Sequence, residues 1–216
     1  GIIANPNCST IILLVAIYPL YKLNKIKKIT VSTYQAASGA GMKGINELKA
    51  QVSDFVHKRQ PTVEVFGKPY LFNVFSHNSP IDLKSGFNEE ELKMINETYK
   101  IFNTTDIKIS PTCIRVPTFR SHLETVDIEF ENDTSVEEIT EILNKAPGIV
   151  ILDDREKNRF PEPLITAHQY DVFVGRIRKC FKNDNKNFMF IVSGDQLLKG
   201  AALNAIQILE LFIKLP

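Results

Sequence analysis

The chain has 216 residues, 44% of them hydrophobic, and 26 Lys and Arg against 25 Asp and Glu give a formal net charge of +1. That length suits one large domain with ample core, and the interspersed charge leaves no basic face for nucleic acid or a membrane surface. Three cysteines, odd in number and widely spaced, make no disulfide framework and no zinc site. No apolar run reaches the roughly 18 residues of a membrane span and no basic leader opens the sequence, so we expect a soluble protein of a reducing compartment.

In chain order, Asn5-Pro6-Asn7-Cys8-Ser9-Thr10 comes first, followed by the apolar run 11–17. Pro, Asn, Ser and Thr are helix-start residues, so a helix is predicted over 9–23, with Pro19 expected to end or kink it. Cys8 falls in its first turn, where free N–H groups and the helix dipole favour a thiolate and can stabilise an oxyanion. A cysteine packed as a small hydrophobe fits the same position. Residues 28–34 are β-branched and aromatic, hence a strand. Gly39-Ala40-Gly41-Met42-Lys43-Gly44 matches G-x-G-x-x-G before a helix at 43–58, but no βαβ unit follows. It is read as a ligand-lining turn rather than a Rossmann fingerprint.

Residues 61–87 form a long irregular excursion with one short strand, of a length that usually serves a site or an interface. Asn88 caps a helix to Phe102; strands follow at 106–117 and 120–131, a helix at 135–145 and a strand at 148–152. Segments 172–181 and 188–193 make a hairpin around Asn183-Asp184-Asn185, and a helix covers 196–212. Cys113 and Cys180 fall in strand-like segments and read as core. The sum is an α+β fold, a mixed, mostly antiparallel sheet with helices on one face.

Five further positions are candidates. Gln35 ends the strand that leads to the glycine turn. Glu90 and Lys93, spaced i,i+3, share a helix face, although acidic residues in a first turn are commonly surface. His122 has the inward parity of Val126 and Ile128, unusual for a polar ring. Arg115 has opposite parity in an unbroken strand and meets His122 only if the Pro117 region bends the chain.

Taken in order, these segments resemble the catalytic and dimerisation domain of aspartate-semialdehyde dehydrogenases. The resemblance rests on Ile3 to Thr10, Ser32 to Gly41, Asn88 to Lys93, Cys113 to Pro117 with His122, Val174 to Arg178, and Gly194 to Ala205. Ser76-His77-Asn78 is similar to the plant-type and related bacterial branch. The resemblance implies a glyceraldehyde-3-phosphate dehydrogenase-like C-terminal domain and a set of roles. Cys8 would attack the acyl phosphate of aspartyl phosphate and carry a thioester. NADPH would reduce that thioester, with His122 as acid or base. Arg115 would clamp the substrate α-carboxylate, Glu90 the α-ammonium and Lys93 the phosphate; Gln35 would orient substrate at Cys8. Ser38, Gly39 and Gln196 would touch the NADP nicotinamide half. No metal is implied.

Family members begin with a dinucleotide-binding domain that is not found ahead of Cys8. The chain is therefore expected to be a fragment, inactive alone, with a catalytic and dimerisation domain at 1–195. Residues 196–216 would form a helix, apolar nearly all round, that packs on the NADP-binding domain. A homodimer and a cytoplasmic location (a plastid, if the source is a plant or alga) follow from the resemblance. An N-acetylglutamyl-phosphate reductase-like enzyme and a non-catalytic dimerisation module are the alternatives. A Glu90 placed for a free ammonium speaks against the first, and the intact set of Cys8, Gln35, Arg115 and His122 against the second.

Overall fold

The structure is a computed structural model and describes residues 1–214. Helix α1 (Cys8–Leu23) begins where Asn7 caps it, accepting from the N–H groups of Ser9 and Thr10 at 3.0 and 3.2 Å. Pro19 lies inside α1 without ending it, which rules out the first of the two expected effects. Strand β1 (Ile26–Gln35) runs into a 3-10 turn, Ala37–Ala40, and helix α2 (Gly41–Val56). The excursion contributes only the two-residue strand β2 (Phe75–Ser76) before α3 (Glu89–Phe102), which opens with a capping box between Asn88 and Glu91. Then come β3 (Lys108–Arg115), β4 (His122–Phe130), α4 (Val136–Lys145, capped by Ser135), β5 (Ile149–Ile151), the one-turn α5 (Pro163–Thr166), β6 (Val172–Lys179) and β7 (Asn187–Gly194).

The predicted last helix is two pieces: a π-helical turn, Leu198–Ala202, and α6 (Leu203–Ile213). Residues 215–216 of the segment assigned to it lie outside the described residues.

Seven strands form one sheet in the order β2-β3-β1-β4-β7-β6-β5. The ladders β1–β3 and β5–β6 are parallel and the other four antiparallel, so the sheet is mixed and mostly antiparallel as expected. β3 and β4, consecutive in sequence, do not pair with each other; β1 lies between them. Helices α1, α3 and α4 cover one face. Ile12, Leu13, Ile17 and Leu20 of α1 share a buried cluster with Ile29 and Val31 of β1, Val126, Ile128 and Phe130 of β4, and Phe188, Phe190 and Val192 of β7. Each such side chain removed from water contributes about 1.5–3 kcal/mol.

The opposite face is only half-buried: Thr30, Ser32 and Tyr34 of β1 with Leu123, Thr125 and Asp127 of β4 and Met189 and Ile191 of β7. Cys113 is buried as read, but Cys180 falls one residue past β6 and is only partly buried, so it is not core. A smaller cluster of Ala37, Leu48, Phe66 and Tyr70 ties α2 and the excursion to the end of β1. No described helix is long and apolar enough to cross a membrane.

Candidate active site

The register of the sheet builds the site. On the helix-covered face, Gln35 at the end of β1 pairs with Arg115 at the end of β3. The antiparallel ladder Tyr34↔Leu123 then brings His122, the first residue of β4, level with Gln35. Arg115 and His122 thus flank Gln35 across β1, and the parity conflict read from sequence disappears because they stand on separate strands. One row deeper on the same face lie Cys113, Thr33 and Glu124; below that, Val31 and Val126 belong to the apolar core. Polar rows at one strand end and apolar rows beneath make a rigid floor.

The N-terminus of α1 comes down on this floor. Cys8, partly exposed, places Sγ 3.6 Å from His122 Nε2. The fully buried His122 ring accepts at Nδ1 from the Ala36 N–H (3.1 Å), so a neutral ring carries its proton on Nε2, beside the thiol. Burial, then the Arg115 charge, pull its pKa down to about 3. A chain of hydroxyls, Ser121–Thr166–Ser193, ends on the His122 carbonyl at 2.8 Å and fixes the backbone. Gly200 of the π turn closes the other side: a Cβ there would lie 3.1 Å from Cys8 Cβ.

The expected thiolate is not the resting state. Burial first and the Glu90 charge second raise the Cys8 thiol to about 12, outweighing the Ser9 N–H at the helix start. Glu90 is itself buried, against the surface alternative for a first-turn acid. Its Oε1 accepts from Asn7 Nδ2 (2.9 Å) and Gln35 Nε2 (3.0 Å), and Oε2 lies 3.9 Å from the exposed Lys93 Nζ. Burial would raise its pKa, but the bonds from Asn7 and Gln35 and the neighbouring Lys93 charge keep it below the ordinary carboxylate value. Thr33 donates to Gln35 Oε1 (3.1 Å) and holds the amide in this orientation.

Arg115 is clamped from both sides: Nε donates to Asn78 Oδ1 and Nη1 to the Ala36 carbonyl, each at 3.2 Å, and the guanidinium lies over the Phe66 ring at 5.6 Å. Among the described residues Nη2 has no hydrogen-bond partner. Tyr70 braces the same corner, donating to the carbonyls of Gln35 and Val116. The long excursion therefore serves the site, delivering Phe66, Tyr70 and Asn78.

Of the three positions assigned to the nicotinamide, Ser38 and Gln196 are buried and bonded to each other, with Gln196 Oε1 also accepting from the Ser121 N–H at 2.9 Å. Gly39 is exposed, and a Cβ there would lie 2.8 Å from Arg115 Nη1 and 3.2 Å from two atoms of the His122 ring. Bare backbone at that point leaves room for a flat group to reach the Cys8–His122 pair, which fits a nicotinamide ring. No three His, Cys, Asp or Glu among the described residues gather to hold a metal.

Sequence reasoning missed several members. Asn7 was legible as a cap but not as a Glu90 ligand. His77 and Asn78 lay in a segment with no periodicity. Asp195, fully buried, accepts from Arg120 Nε and the His168 N–H, each at 2.7 Å, and anchors the turn beside Gln196. Glu124 is fully buried and neither carboxylate oxygen has a partner among the described residues. Burial raises its pKa well above the ordinary value; its shared parity with His122 was the available signal.

The site is therefore a cysteine at a helix start, with a buried histidine beside it and an arginine across the strand, on one end of a mixed sheet. Residues 17–199 match the family model described as "Semialdehyde dehydrogenase, dimerisation domain", and the chain belongs to that family. It is 48% identical over 214 residues to the aspartate-semialdehyde dehydrogenase of Synechocystis sp., covering 99% of this chain and 63% of that protein. The aspartate semialdehyde dehydrogenase II of Vibrio cholerae complexed with ASA superposes with a TM-score of 0.92 at 37% identity, over 98% of this chain and 62% of the other. The Candida albicans enzyme with NADP shares the fold at a TM-score of 0.65 and 24% identity, over 93% of this chain and 54% of the other. The chain thus spans a little under two thirds of the length of the relatives it most resembles among these, matching a glyceraldehyde-3-phosphate dehydrogenase-like C-terminal domain.

Proposed function

We propose that this chain carries the catalytic centre of an NADP-dependent aspartate-semialdehyde dehydrogenase, working with a dinucleotide-binding unit to convert L-aspartyl 4-phosphate into L-aspartate 4-semialdehyde and phosphate. The observation that carries it is the Cys8 Sγ to His122 Nε2 contact of 3.6 Å, with Glu90 and Arg115 flanking Gln35. Arg115 Nη2 takes the substrate α-carboxylate, Glu90 Oε2 the α-ammonium, and Lys93 the phosphate. The ammonium neutralises the Glu90 charge, the larger of the electrostatic influences holding the thiol up, so substrate binding itself eases ionisation of Cys8. Attack of sulfur on the acyl carbon forms the C–S bond and breaks the C–O bond to phosphate, and the thiol proton leaves with the phosphate. Ser38, Gly39 and Gln196 would hold the nicotinamide half of NADPH, which would supply hydride for reduction of the thioester. His122 Nε2–H hydrogen-bonds the oxyanion formed on reduction, and that oxyanion collapses to the aldehyde as the C–S bond breaks and the sulfur leaves as thiolate, which takes a proton from solvent to restore the Cys8 thiol.

The test is direct. Mixed with aspartyl phosphate and quenched in acid, the chain should gain one aspartyl group, sensitive to hydroxylamine and mapping to the Cys8 peptide. An acyl group on Cys113 or Cys180, or one resistant to hydroxylamine, contradicts the assignment.

Two surfaces complete the reading. The half-buried sheet face is proposed as the homodimer contact, since an unfilled sheet face needs a matching surface and a two-fold copy provides one. Sedimentation across a concentration series should give a dimer; a stable monomer at micromolar concentration contradicts this. Helix α6 has no buried residue, and Ile206, Leu209, Leu211, Phe212 and Ile213 are exposed. Beside it an apolar groove of about 760 Å³ is lined by Tyr18, Ile101, Phe102 and Ile208 and touches none of the catalytic side chains. We assign this surface to docking of the dinucleotide-binding unit.

A further inference from the structure

We propose that His77 is a further substrate-binding residue of this site, a neutral hydrogen-bond donor to an oxyanion of the substrate. The inference rests on the substrate site proposed above and adds a group to it.

The segment 75–80 is threaded between the end of β3 and the start of α3 and pinned to both. Phe75 and Ser76 pair with Arg115 and Ile114, and the His77 N–H donates to the Cys113 carbonyl at 2.8 Å. On the other side the Glu90 N–H donates to Ser79 Oγ (3.3 Å) and the Glu89 N–H to the Pro80 carbonyl (2.9 Å). His77 therefore stands between Asn78, which holds Arg115, and Ser79, which holds the backbone of Glu90. The charged neighbours that its ring feels are Arg115 from β3 and Glu90 and Lys93 from α3.

The ring has a fixed proton arrangement. Nδ1 receives the Ser79 N–H at 3.2 Å and lies 3.0 Å from Ser79 Oγ. That hydroxyl already accepts from Glu90, which leaves its proton for Nδ1. Two donors aimed at Nδ1 require it to be unprotonated, so the neutral ring bears its hydrogen on Nε2. Burial, then Arg115, lower its pKa to about 4, in the same direction. Nε2–H has no protein partner among the described residues, and the ring is only partly buried. A free donor beside Arg115 and Lys93 is placed for an oxyanion, and a neutral one adds directionality without a third positive charge. Either the α-carboxylate or the phosphoryl group supplies such oxygens.

Nitrogen NMR of the histidine side chains in the 216-residue chain, titrated separately with inorganic phosphate and with L-aspartate, tests this and tells the two sources apart. At neutral pH His77 should show an acceptor-type Nδ1 and a protonated Nε2. The Nε2 resonance should then move saturably with one of the two anions, together with the Arg115 side-chain signal. In the same titrations His77→Asn, which keeps an N–H donor, should bind within a few-fold of the parent, and His77→Phe roughly tenfold more weakly or worse. Movement of Arg115 with His77 unmoved overturns the role of His77 and leaves the substrate site standing. If neither signal moves, both fall.

Discussion

Cys8→Ser is expected to lower turnover by about 10⁴-fold or more while leaving the fold in place. Serine keeps the size and the helix-start position, and the Asn7 cap bonds the N–H groups of Ser9 and Thr10 rather than this side chain. What changes is the nucleophile. The Cys8 thiol is already raised to about 12 by burial and Glu90, and a hydroxyl in the same field is far harder to ionise and forms an oxygen ester less open to reduction. The effect should appear almost wholly in kcat, because Glu90, Arg115 and Lys93, which bind the substrate in this account, are untouched. Steady-state kinetics with the dinucleotide-binding unit supplied checks it. Retention of more than about a tenth of the parent rate would remove Cys8 from the chemistry.

Gly39→Ala should cost roughly a hundredfold in kcat/KM, the loss that follows about 1 Å of misplacement at reacting groups. The added methyl would lie 2.8 Å from Arg115 Nη1 and 3.2 Å from His122 Cε1 and Nε2. The guanidinium is held by Asn78 and the Ala36 carbonyl, and the imidazole by the Ala36 N–H, so neither retreats freely. The backbone itself is not strained, since the φ of Gly39 does not require glycine, so any loss of thermal stability comes from displacing these two side chains. An alanine variant with unchanged kcat/KM would show that no ligand approaches the catalytic pair over this backbone.

Much of the fold is written in local chemistry. Asn7, Asn88 and Ser135 mark three helix starts, each with its cap formed as the residue types demand. Alternation in β4 is equally plain, buried at every second residue from His122 to Phe130. Local pattern failed where partners are distant in sequence. Nothing near residues 106–131 says that β1 will insert between β3 and β4, yet that insertion sets Arg115 and His122 on either side of Gln35. Pro19 is tolerated because α1 is held along its length by buried packing against the sheet, which outweighs one lost backbone bond. Glu90 looked like any first-turn acid; its burial follows from Asn7 and Gln35, 83 and 55 residues away. The thiol's pKa is a contest of the same kind, with the helix start legible and the stronger influences, burial and Glu90, visible only in three dimensions.

The central claim is that this site is built for a free aspartyl acyl phosphate, and competing substrates test it most directly. With the dinucleotide-binding unit and NADPH supplied, the chain should turn over L-aspartyl 4-phosphate, and N-acetylglutamyl phosphate should be slower by several orders of magnitude. The reason is Glu90: its Oε2 faces Lys93 and the open site, and a carboxylate there pairs with an ammonium and not with an uncharged amide nitrogen. Turnover of aspartyl phosphate that falls on replacing Glu90 by glutamine is the predicted result. Equal or faster turnover of the acetylated substrate, or none of either with the fold intact, would contradict the account.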